Sequence, residues 1–80
     1  MSEAYVLINC TLGKEEEVIT DLSDVNGVNA INGVFGAYDI IVKVEKDTPE
    51  DMRTLITDNI RKLKHIRSTL VLIVIDEQNQ

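Results

Sequence analysis

Apolar residues recur along this chain with two periodicities, and the order in which they alternate predicts the architecture. From Tyr5 to Thr11 (YVLINCT) β-branched and aromatic residues run without a breaker, which predicts a strand. Gly13 interrupts it, and Glu15, Glu16 and Glu17 then supply the negative charge that a helix N-terminus favours. Val18, Ile19, Leu22 and Val25 follow as one apolar stripe of a helix, which Asn26-Gly27 stops. Val28 to Phe35 (VNAINGVF) alternates imperfectly and predicts a second strand, with Gly33 marking a bulge or a close backbone approach. Gly36-Ala37 predicts a tight primed turn into a third strand, Tyr38 to Glu45 (YDIIVKVE), so these two strands form a hairpin.

The second helix has clear start signals. Thr48 is its expected N-cap, Pro49 its first residue, and Glu50 and Asp51 complement the dipole. Met52, Leu55, Ile56, Ile60 and Leu63 form its buried stripe, and Arg61, Lys62 and Lys64 close it. Ile66 to Ile75 (IRSTLVLIVI) is the last strand, and Asp76 to Gln80 is expected to fray as a polar tail. The order β-α-β-β-α-β predicts one domain over residues 1–80. Its expected fold is α+β, a ferredoxin-like four-stranded antiparallel sheet with two helices on one face.

That layout bears on assembly. In the last strand Leu70, Leu72 and Val74 point one way, and Val71, Ile73 and Ile75 the other. Strand one repeats the pattern, with Val6 and Ile8 opposite Tyr5 and Leu7. Both therefore have the two-faced character of central strands, and the helix-free face needs a cover. A second copy packed sheet to sheet is the economical one. Size argues the same way, since 80 residues bury only about 60–65% of their unfolded surface. One cysteine, Cys10, and one histidine, His65, allow no disulfide within the chain and no structural zinc site.

The lone thiol, the lack of a basic leader and the shortness of the run from Leu70 to Ile75 predict a cytoplasmic protein that does not enter membranes. Eight basic against 14 acidic residues give a net charge of −6, which opposes direct nucleic-acid binding. The cluster of Arg61, Lys62, Lys64 and Arg67 reads first as cations favoured at a helix C-terminus. Catalysis has no constellation here: Cys10 reads as an inert core thiol, His65 as a solvated loop residue, and no phosphate loop, nucleophile motif or cofactor signature appears.

The segment Val25–Val44, VNGVNAINGVFGAYDIIVKV, resembles the effector-binding (RAM) domain of the Lrp/AsnC transcriptional regulators. Gly27-Val28 is similar to the family's start of strand two, and Gly36-Ala37-Tyr38-Asp39 to its G-x-Y-D entry into strand three. Arg67-Ser68-Thr69 is similar to its polar entry into strand four. The resemblance spans the chain but includes no helix-turn-helix segment, so a stand-alone effector domain is expected. It implies a homodimer able to assemble into a tetramer of dimers, and an amino acid or related metabolite held where dimers meet. An alternative partner is a full-length Lrp/AsnC regulator, with which the chain would co-assemble without a ligand of its own.

The residues expected to hold the ligand are Gly36, Ala37, Tyr38, Asp39, Arg67, Ser68 and Thr69. Asp39 can accept a charge-assisted bond from an ammonium, or simply hydrogen-bond its own turn. Gly36 and Ala37 can offer backbone N–H groups to a carboxylate, and Ser68 and Thr69 can orient it. Tyr38 can pack with a wet hydroxyl, and Arg67 can pair a carboxylate or an acidic neighbour. The hairpin and the start of strand four are expected to approach only across a chain boundary.

Overall fold

In the computed structural model, which describes residues 1–75, the alternating pattern near the N-terminus becomes strand β1, Ser2–Cys10. Helix α1 (Glu15–Ser23), strands β2 (Val28–Gly33) and β3 (Ile40–Lys46), helix α2 (Pro49–Thr54) and strand β4 (Ile66–Ile73) follow. The sheet is antiparallel in the order β2-β3-β1-β4. The expected tail, Asp76 to Gln80, lies outside the described residues.

Register explains the two faces. Val6 stands between Val42 and Val71, and Ile8 between Ile40 and Thr69, so these side chains share one face. The helices close over it: Ala4, Val6, Ile8, Cys10, Ile40, Val42 and Val44 are buried with Val18, Leu22, Met52, Leu55, Ile56 and Ile60. The other face carries Tyr5, Leu7, Ile41, Leu70 and Leu72, and no helix packs there.

Helix α2 starts as its sequence demands. The Thr48 hydroxyl accepts from the Asp51 N–H at 3.1 Å, and Pro49 follows as the first helical residue. Its second half departs from the single α-helix expected, continuing as a π-helical stretch over Leu55–Ile60 in which Arg61 N–H donates to Ile56 C=O at 2.9 Å. The wider turn brings Leu55, Ile56 and Ile60 all into the core.

Other sequence expectations need correction. The last strand is not central, since β4 pairs only with β1 and forms a sheet edge. Gly33 marks neither a bulge nor a close approach: it ends β2, and a Cβ there would meet nothing within 4 Å. The irregularity lies at Asn29, because Val28 pairs with Val44 but Ala30 with Lys43. The hairpin turn is a six-residue connection, 34–39, in which Val34 and Phe35 have left the strand. Gly27 is the glycine that packing requires. Its φ is +106°, and a Cβ would meet Lys46 Cε at 3.0 Å, Leu55 Cδ2 at 3.1 Å and Glu45 O at 3.2 Å.

Candidate ligand site

The connection between β2 and β3 is tied to β1 through Asp39. Its N–H donates to Ile8 C=O at 2.9 Å, its C=O accepts from Val34 N–H at 2.8 Å, and its Oδ2 accepts from Cys10 N–H at 3.0 Å. Asp39 therefore extends the β3–β1 ladder by one step and uses its side chain in place of a backbone carbonyl. That contact corrects the idea that the carboxylate bonds its own turn. Gly36 has φ +151° and open space where a Cβ would stand, and Gly36 and Ala37 are exposed while Tyr38 is half-buried. Neither Gly36 nor Ala37 donates its N–H to another backbone group among the described residues.

On the other side of β1, Asn9 pairs with Ser68 while Cys10 pairs with Ile66. Arg67 is thus the extra residue of a β-bulge, left exposed at the start of β4. The Ser68 hydroxyl accepts from Asn9 Nδ2 at 3.3 Å. Thr69 faces the helices instead, its Oγ1 accepting from Arg61 Nε at 3.1 Å. The structure brings Asp39 and Ser68 to the same end of one sheet, flanking Asn9, two strand spacings or about 10 Å apart. Within one chain β1 stands between them. Thr69 is separated from them by the sheet itself. Asn9 is the residue the sequence reading missed; its signal was a polar position following Tyr5 and Leu7 on the helix-free side of β1.

None of these residues lines the cavity of about 710 Å³ elsewhere on the molecule; they form an open polar rim at one end of the helix-free face. Nearby chemistry is quiet. Cys10 is 5% exposed, and burial, then the Asp39 and Glu15 charges, push its thiol above the usual value. At the opposite end of the face, the Glu45 carboxyl is held below its usual value by its hydrogen bond with Glu3, then by the Asn29 amide. His65 is not simply solvated: half-buried at φ +70°, it places Nε2 3.7 Å from Glu17 Oε1, and its C=O accepts from Thr11 N–H at 2.8 Å. Among the described residues no three His, Cys, Asp or Glu side chains converge on a metal position, and no helix is long and apolar enough to cross a membrane.

Four antiparallel strands in this order, with both helices on one side, define a ferredoxin-like domain. Residues 3–80 match the family model described as the Lrp/AsnC ligand binding domain, and the chain belongs to that family. Among solved structures, FFRP-DM1 is 41% identical with a TM-score of 0.90, covering 94% of this chain and 100% of that one. The hypothetical protein PHS023 from Pyrococcus horikoshii is 42% identical with a TM-score of 0.89, covering 96% and 93%. The transcriptional regulator NMB0573 from Neisseria meningitidis, solved as an L-Met complex, is 11% identical with a TM-score of 0.84. It covers 99% of this chain and 53% of that one, a likeness of fold alone. No match was found among curated proteins.

Proposed function

We propose that this chain binds an amino acid or a closely related metabolite at the rim formed by Gly36, Ala37, Asp39, Asn9 and Ser68, and that occupancy changes how copies associate. The observation that carries this reading is the convergence of Asp39 and Ser68 around Asn9, beside an apolar sheet face that a second copy would cover. A carboxylate has more acceptor capacity than the single bond to Cys10 N–H uses, so Asp39 can serve an ammonium while still holding β1. The Gly36 and Ala37 N–H groups suit the carboxylate of the same ligand. A ligand held at an interface changes the association constant by the same factor as association changes its affinity. The acceptors and donors gathered at this rim support a binding role.

A thermal-shift screen over amino acids finds the ligand, since binding to the native state raises the melting temperature by mass action. Calorimetry on Asp39→Asn then tests the role of the charge. The amide keeps an oxygen for Cys10 N–H and removes the charge, so affinity should fall by about 1.5–3 kcal/mol with folding intact. Unchanged affinity would leave Asp39 a tether between loop and strand and nothing more.

A further inference from the structure

Helix α2 and its π-helical continuation stop short of β4, so a strip of the helix side of the sheet stays uncovered. Val71 stands beside Val6 on that side, and Ile73 beside Ala4. Val6 and Ala4 are wholly buried, whereas Val71 is half-buried and Ile73 is 59% exposed. The space left is the groove of about 710 Å³, with Met52, Ile56, Val71 and Ile73 as its apolar lining. Small-molecule sites commonly measure about 300–1,000 Å³. The groove lies across the sheet from the face that a second copy would cover, and Asn9, Asp39 and Ser68 do not line it.

Two of the chain's three arginines, Arg53 and Arg61, line this same groove. With Thr57 they recur at every fourth residue, so one helix face presents all three. Thr69, set apart from the rim by the sheet, has its role here. Its Oγ1 accepts from Arg61 Nε at 3.1 Å, which fixes the guanidinium beside β4 and leaves its two terminal nitrogens as donors. Among the described residues the ion pairs are Lys14 with Glu17 and His65 with Glu17, so neither arginine meets a carboxylate. Glu3 borders the groove, but its side chain alternates to the helix-free side with that of Tyr5 and bonds Glu45 there. In a chain of net charge −6, two uncommitted arginines beside one apolar lining form an unusual local surface.

We propose that the groove binds a short amphipathic carboxylate, its acyl chain lying against Met52, Ile56, Val71 and Ile73 and its head held by Arg53 and Arg61. A guanidinium takes a carboxylate through two parallel hydrogen bonds, and the Thr57 hydroxyl between the arginines can donate another. Covering the apolar lining rewards each methylene of the chain. A bare inorganic anion would leave that lining wet, and an uncharged chain would leave the arginines unmatched. A free amino acid fits badly as well, because its ammonium would stand against two like charges. Groove and rim therefore select different ligands, and the groove does not depend on the reading of the rim.

Titration of the unmodified protein with octanoate, followed by amide NMR shifts, tests the proposal. Saturable shifts should centre on Met52, Ile56, Thr57, Val71 and Ile73. Octanoate should bind about tenfold more tightly than octanol, which has the same chain without the charge. Affinity should rise about threefold per methylene from hexanoate to octanoate. Arg53→Gln and Arg61→Gln sit on exposed positions and should fold normally. Each should weaken octanoate about fivefold while leaving octanol within about twofold. Thr69→Val, which releases the Arg61 guanidinium, should narrow the gap between the two probes. Equal affinity for octanoate and octanol, or a preference that survives the Arg53→Gln/Arg61→Gln double variant, would overturn the proposal. So would shifts centred on Asn9 and Asp39, which would put the carboxylate at the rim. Groove shifts that move on simple dilution and ignore octanoate would assign the groove to a second copy and overturn it too.

Discussion

The same strands present two apolar surfaces that differ in what finishes them. On the helix side, Val6, Ile8, Ile40, Val42 and Val44 are wholly buried beneath α1 and α2. On the other side Leu7 and Ile41 stay half-exposed, and Leu70 and Leu72 more so, although their side chains are as apolar as those opposite. Strand β1 shows the contrast residue by residue, fully buried positions alternating with half-buried ones from Ala4 to Cys10. The covered face is completed by the chain that owns it, whereas the open face has a composition that makes sense only with a neighbour. Mutations on the first should therefore act on folding, and those on the second on assembly.

The largest effect is expected on the covered face. Ile8→Ala removes most of a fully buried side chain at the centre of the sheet and should lower unfolding free energy by about 2–5 kcal/mol. Denaturant titration should show that loss at every protein concentration. A loss that vanished at high concentration would shift Ile8 from the folding side of the comparison to the assembly side. One residue away, Leu7→Glu should leave the far-ultraviolet circular dichroism spectrum unchanged and weaken association by about 1.5–3 kcal/mol per chain, the value of burying one such side chain. Light scattering should then report a smaller mass than for the parent; an unchanged mass would show that nothing covers this face. The smallest effect concerns Cys10. Because burial raises its thiol pKa, the native state resists ionisation and the unfolded chain ionises first as pH rises. The thiol's contribution is complete below the usual value of 9.0 and is lost as pH climbs through the raised one. Stability should decline modestly above pH 9, and Cys10→Ala should flatten that part of the curve.

Much of this was legible in the chain. The unbroken apolar runs of β1 and β4 and the Thr48-Pro49 start of α2 are local signals, and each of these elements formed around the residues that signalled it, with strand ends shifted by up to three residues. What was not legible depends on partners distant in sequence. The bulges at Asn29 and Arg67 exist because of register against β3 and β1, which no local pattern encodes. Val34 and Phe35 have strand propensity, yet β2 ends before them and both are exposed, and the Val34 N–H alone still reaches across the hairpin, to Asp39 C=O. At the candidate site, Gly36 to Asp39 stood out by type, but the tether from Asp39 joins it to a backbone N–H of β1. Asn9 acquired meaning only once Ser68 stood beside it. Thr69 was expected on the ligand side together with Ser68, but consecutive strand residues take opposite faces, and pairing with Ile8 puts Thr69 on the helix side.

The position of β1 has a consequence for the order in which the molecule can form. Strand β1 lies between β3 and β4, and Ala4 finds its partner Ile73 across nearly the full length of the domain. The hairpin of β2 and β3 can close early over a short span, whereas the centre of the sheet must wait for its most distant pairing. This domain should therefore fold slowly for its size, through a late step that seats β1 between two neighbours and completes the core.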